Sequence, residues 1–101
     1  MEFNLLISLN LPNRKIPYGR FLLGKDANFA NELFLQLKGK PDGTENHNCI
    51  KIELSEEILG LPVPIAIRSC TLDELKENVS IISKEIFRIA HLEDGADQIL
   101  S

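Results

Sequence analysis

At 101 residues, with 44% apolar and 26% charged side chains, the chain has room for one hydrophobic core and lacks the low-hydrophobicity, high-charge character that keeps chains unfolded. Its net charge of −4 opposes general binding to nucleic acid or anionic membranes, because that affinity comes from neutralising phosphates. No apolar run approaches the roughly 18 residues needed to cross a bilayer, Met1-Glu2-Phe3-Asn4 carries no basic export signal, and the C-terminus has no lipidation motif. The expected setting is cytoplasmic and away from membranes, where Cys49 and Cys70 are free thiols.

The first element is a half-buried strand, with Phe3, Leu5, Ile7, Leu9 and Leu11 on one side and Asn4, Leu6, Ser8 and Asn10 on the other. Pro12-Asn13 and Pro17-Tyr18-Gly19 break the alternation, and a second strand is expected from Gly19 to Gly24 after a long loop. Asp26 is a good N-cap for a helix carrying Ala30, Leu33, Phe34 and Leu37, with Gly39 as its left-handed C-cap. Gly39 to Asn48 is rich in turn formers and reads as an exposed loop.

Alternation returns twice. Ile50, Ile52 and Leu54 are set against Cys49, Lys51 and Glu53, and then Val63, Ile65 and Ile67 are set against Pro64, Ala66 and Arg68. These strands form an antiparallel hairpin, and Pro62 and Pro64 place the later one at a sheet edge. Thr71-Leu72-Asp73-Glu74 is a capping box that opens the last helix. Leu75, Val79, Ile82, Ile86 and Ile89 form its apolar stripe, widened by Leu72, Ile81 and Phe87.

The predicted fold is α+β, a single domain over 1–92 with a flexible tail at 93–101. Its order is ββαββα, a four-stranded antiparallel sheet with both helices on one face. A ferredoxin-like βαββαβ arrangement is the alternative, but it requires a structureless loop of about fourteen residues, which compact domains rarely contain.

No stretch matches a catalytic, metal-binding or nucleotide-binding signature, and no cofactor is expected. Three groups of residues carry the functional expectations. His47, Cys49 and Cys70 gather at one end of the solvent-side face if the two later strands share apolar faces, since that register sets Cys49 opposite Arg68 and His47 opposite Cys70, or Cys49 opposite Cys70. Such a cluster is the basis for a small enzyme or thiol-dependent regulator, with Cys70 next to a helix start that favours a thiolate. It falls short of a zinc site, which needs three or four ligands at recognisable spacings.

Arg14, Lys15, Tyr18, Arg20 and Lys25 surround an aromatic ring with positive charge, the mixture that RNA-binding surfaces use. Residues 1–40 hold six Lys/Arg against three Asp/Glu, and residues 41–101 hold five against twelve. This asymmetry suits complementary contact between two copies. The uncovered sheet face is expected to display Leu6, Ser8, Leu22, Lys51, Ala66 and Arg68, semi-apolar enough to dock a protein. The leading expectation is a non-enzymatic protein-interaction or assembly module that self-associates, with a homodimer as its simplest form.

Overall fold

The computed structural model describes residues 2–41 and 50–94. The first strand, β1 (Glu2–Leu11), forms as its alternation requires, with Leu5 and Ile7 fully buried on one side. Pro12-Asn13 is a two-residue turn, since Leu11 already pairs with Arg14. The second strand, β2 (Arg14–Gly24), is therefore longer than the strand expected at Gly19–Gly24, and the expected long loop is absorbed into it.

Asp26 caps α1 (Ala27–Gln36) as anticipated, its carboxylate accepting from the Asn28 N–H at 2.9 Å and the Phe29 N–H at 3.2 Å. The helix ends differently. Leu37 turns extended and donates to the Phe34 carbonyl at 3.1 Å, so Gly39 is not the C-cap. Glycine is needed at 39 for another reason: its φ is +134°, and a Cβ there would stand 2.4 Å from the Ser69 carbonyl oxygen. That close approach lets Lys40 and Pro41 form a short strand, β3 (Lys40–Pro41), within the segment read as loop. The chain then continues through β4 (Ile50–Ile58), β5 (Leu61–Cys70) and α2 (Leu72–Asp94).

The sheet is antiparallel with five strands in the order β2-β1-β4-β5-β3, rather than the four strands expected. β1 and β4 at its centre pair without interruption from Glu2↔Glu57 to Leu9↔Ile50. Every register shift lies in the pairing of a central strand with its outer neighbour. Tyr18 and Leu23 are extra residues on β2, and Ile65 is extra on β5. A strand hydrogen-bonded along both edges would lose two ladders to such an insertion, whereas an outer strand loses one.

From Leu61 to Pro64 the hairpin keeps the second of the expected registers, and the bulge at Ile65 overturns it for the rest of the strand. Leu54 stands opposite Ala66, Ile52 opposite Arg68 and Ile50 opposite Cys70, so these β5 residues share the face of the apolar β4 residues. Ala66 and Arg68 therefore belong to the helix side, not to the uncovered face. Ala66 packs against the core, and Arg68 lies over the Phe34 ring at 4.8 Å and donates from Nη1 to the Leu37 carbonyl.

Both helices pack on that face in one cluster with Phe3, Leu5, Ile7, Ile52 and Leu54, where each fully buried aliphatic side chain contributes about 1.5–3 kcal/mol. The capping box forms, with the Thr71 N–H donating to Glu74 Oε1 at 2.9 Å and the Glu74 N–H to Thr71 Oγ1 at 3.1 Å. Leu75 and Ile82 are buried while Val79, Ile81, Ile86 and Ile89 are partly so; Leu72 and Phe87 are exposed, making the stripe narrower than expected. α2 runs to Asp94, two residues into the expected tail, and 95–101 lie outside the described residues.

Within that stripe sits a fully buried amide, Asn78. Its Oδ1 accepts from the Lys38 N–H at 2.7 Å and its Nδ2 donates to the Lys38 carbonyl at 2.9 Å, tying the end of α1 to the middle of α2. Asn78→Ala removes both hydrogen bonds and is expected to lower the unfolding free energy by about 0.5–1.5 kcal/mol for each bond lost. Denaturant titration of the variant against wild type checks this, and a loss below about 0.5 kcal/mol, the scale of an ordinary surface change, contradicts it.

Candidate functional site

The face that the helices leave uncovered is built from the opposite positions of the same strands. Because β1 and β4 pair regularly, their side chains line up in rows across the sheet. Arg20, Leu6, Glu53 and Ile67 form one row, Leu22, Asn4, Ser55 and Pro64 the next, and Glu2, Glu57 and Pro62 the third. The face is more polar than expected. Asn4, Ser8, Ser55 and Ser69 are all buried on it, small groups sheltered by longer neighbours. Lys51 spans its β4–β5 side, donating from Nζ to Ser69 Oγ at 2.6 Å. Leu6, Ser8, Leu22 and Lys51 stand on this face as anticipated, and only Leu22 among them is strongly exposed.

A hollow of about 450 Å³ occupies the centre of this face. Asn4 and Ser55 lie in it, with Lys15 and Arg20 on the β2 side and Glu53 and Glu57 on the β4 side. Sequence reading reached Arg20 and Lys15 as parts of a basic segment but missed their relation to Glu53 and Glu57. The strand order β2-β1-β4 makes that relation, and no local pattern encodes it.

The basic segment itself lies along the outer strand. Arg14, Lys15, Tyr18 and Arg20 are exposed on β2, with Tyr18 pushed out at a bulge, and Lys25 follows the strand. A nucleic-acid backbone laid across Lys15 and Arg20 would also meet Glu53 and Glu57.

Of the expected thiol cluster, His47 and Cys49 lie outside the described residues, and Cys70 is fully buried on the helix side opposite Ile50. Its thiol is pushed up from 9.0 to about 11, first by burial and then by the Glu74 carboxylate, with a hydrogen bond to Asn78 pulling the other way. The expectation that the helix start favours a thiolate is thus reversed, because desolvation and a nearby negative charge outweigh the helix amides. Among the described residues no group of three His, Cys, Asp or Glu side chains is placed to hold a metal ion. No described helix is long and apolar enough to cross a membrane.

A second hollow, of about 350 Å³, is apolar and lies at the rim, between β2 and the helices, lined by Leu22, Leu23, Phe29, Ile86 and Ile89. Glu2 borders it and also borders the surface hollow beside the β4–β5 turn at Leu59-Gly60. The turn and the apolar groove therefore flank the same end of the sheet. Comparison with protein-family models, curated proteins and solved structures finds no match to this chain.

The Cys70 environment has a consequence for pH. A thiol whose folded pKa is about 11 against 9.0 for the free group holds its proton in the folded state while the unfolded chain ionises, so stability is full below about pH 9 and is lost as pH rises towards 11. Unfolding measured across that range should show the decline in wild type and a shallower one in Cys70→Ala. Native Cys70 should also resist alkylation at neutral pH and react once the protein is denatured.

Proposed function

We propose that this chain is a non-enzymatic protein-interaction module that self-associates through the distal half of its β4–β5 hairpin. The observation that carries this reading is the uncharged segment Ile58-Leu59-Gly60-Leu61-Pro62-Val63-Pro64-Ile65, in which all five large apolar side chains are exposed, Leu59 by 97% and Leu61 by 67%. Scattered apolar residues on a surface are ordinary, but a contiguous apolar arm marks a contact site.

The backbone of the arm supports the same reading. Ile58 pairs with Leu61, so Leu59-Gly60 is a two-residue turn, with φ of 53° at Leu59 and 82° at Gly60. Both positions of such a turn favour Asn, Asp or Gly. Leucine in the left-handed region costs about 1–2 kcal/mol, and here the side chain gains no packing within its own chain to offset that. A partner surface supplies the missing contact. Pro62 and Pro64 remove two N–H donors from the arm, which disfavours open-ended strand addition and leaves side-chain packing as the mode of contact.

The rim groove lined by Leu22, Phe29, Ile86 and Ile89 matches the arm in chemistry and stands at the same end of the molecule. Two copies related by a two-fold axis place each arm in the other's groove, an isologous contact that closes on itself. Leu22, expected from sequence as part of the interaction surface, contributes from the groove side. The alternative of nucleic-acid binding draws no support from this end of the molecule, where the arm is uncharged.

Light scattering over a concentration series tests the proposal. Wild type is expected to dimerise. Leu61→Lys in the arm and Leu22→Lys in the groove should each shift the equilibrium to monomer by burying an unpaired charge, with unfolding free energies within about 0.5 kcal/mol of wild type because both positions are exposed in the single chain. A wild-type protein that stays monomeric at high concentration refutes self-association. A second check uses the strained turn: Leu59→Gly should raise the stability of the monomer by about 1 kcal/mol, the left-handed cost removed, while weakening the dimer.

A further inference from the structure

The hollow on the uncovered sheet face meets the arm at Gly60 and Pro62, and the rest of its lining is polar or charged apart from Leu6. Its volume of about 450 Å³ falls in the range of small-molecule sites, roughly 300–1,000 Å³. Its two walls carry opposite charge, Lys15 and Arg20 against Glu53 and Glu57. Arg20 and Glu53 occupy one row on either side of Leu6, so their backbones stand two strand spacings apart, about 10 Å. The walls do not neutralise each other: between described residues the only ion pair joins Arg88 to Glu85.

The floor is polar and open to a partner. Asn4 and Ser55 face each other across the β1–β4 ladder, each only 3% exposed. Asn4 Oδ1 accepts a long hydrogen bond from Arg20 Nη2 at 3.4 Å, while its Nδ2 donors and the Ser55 hydroxyl make none among the described residues. No described side-chain nitrogen or oxygen is sealed from solvent without a partner, so these groups open onto the hollow that they line. Glu57 stands directly opposite Glu2, a like-charge pair that destabilises a sheet unless a cation intervenes, and Lys25 borders the adjoining hollow with both carboxylates.

We propose that this hollow binds a short zwitterionic peptide, with its carboxylate against Arg20 and Lys15, its terminal ammonium against Glu53 and Glu57, and a backbone amide on Asn4 and Ser55. A simple anion would sit beside two carboxylates, a simple cation beside Arg20 and Lys15, and an apolar ligand would strand the charges of both walls without water. A free amino acid carries both charges on one carbon and cannot reach both walls. A peptide of a few extended residues, at about 3.3–3.6 Å each, separates its terminal charges so that one can meet the β2 wall and the other the β4 wall. The site borders the proposed dimer contact at Gly60 and Pro62, but Leu61 is on the other face of the hairpin from Pro62 and Glu57, so Leu61→Lys separates the two contacts.

Triglycine, N-acetyl-triglycine and triglycinamide are the probes, titrated calorimetrically into the intact protein at millimolar concentration. Triglycine is expected to bind saturably, and each capped form about tenfold or more weakly, as the loss of a hydrogen bond to a charged group requires. Arg20→Gln and Glu53→Gln should weaken triglycine to a similar degree with unfolding unchanged. Ser55→Ala, which removes a floor contact and no charge, should weaken it less. Leu61→Lys should leave it unaffected. Failure of triglycine to bind overturns the proposal, as does equal binding of the capped peptides. Self-association that is abolished by Arg20→Gln also overturns it, and assigns the two charged walls to a second copy.

Discussion

A single side-chain amide fixes the end of α1 against the middle of α2. Asn78 lies on the apolar stripe of α2 and presents its carboxamide edge to the backbone of Lys38, accepting from one group and donating to the other. The last backbone groups of a helix need partners, and the Asn78 carboxamide supplies them just past the end of α1, beside the buried Leu37. With Lys38 secured, Leu37 stays in the core, its carbonyl receives Arg68, and Gly39 comes against the Ser69 carbonyl so that β3 meets β5. An apolar residue at 78 would suit the stripe and leave this connector without an anchor.

The regular pairing of β1 with β4 has a comparable role on the other face. Extra residues are confined to β2 and to the part of β5 that β3 does not cover, so the central pair keeps its rows in line over its whole length. Those rows bring Arg20 level with Glu53 and set Asn4 beside Ser55. A one-residue shift between β1 and β4 would turn every side chain of the shifted strand to the opposite face, moving Asn4 into the core and Leu5 onto the face of the hollow. The bulges at Tyr18 and Leu23 also twist the exposed edge of β2, one of the ways that sheets avoid pairing with a neighbour.

Features written in a few adjacent residues were legible in the sequence. The alternation of β1, the Asp26 cap, the Thr71–Glu74 box and the Leu75–Ile82 stripe each depend on contacts within about one helical turn or one strand. The later hairpin was legible as a pair of strands but not in register. Apolar character assigns Val63, Ile65 and Ile67 to one face, yet only Val63 is on the helix side, and Ala66, Arg68 and Cys70 fill that side beyond the bulge, because an apolar bulge residue has no local signature that separates it from its neighbours. Lys40–Pro41 became a strand only through its contact with β5. Asn78 did leave a signal: it falls between Leu75 and Ile82 at helical spacing, where a polar residue must find a buried partner. The charged hollow left none, since Arg20 and Glu53 are 33 positions apart and meet only through the strand order.

The extra residue at Ile65 divides β5 into two stretches that present their side chains in opposite phase. From Cys70 back to Ala66 the even-numbered positions turn towards the helices, and from Val63 to Leu61 the odd-numbered ones take that side. Tolerance to polar replacement along this strand accordingly reverses its parity midway. Deleting residue 65 would restore a single phase, leaving the inner stretch packed as it is while exchanging the two faces of the arm. The bulge thus acts as a joint between a stretch that folding constrains and a stretch that is free to change, and the surface of the arm can diverge without disturbing the core beside it.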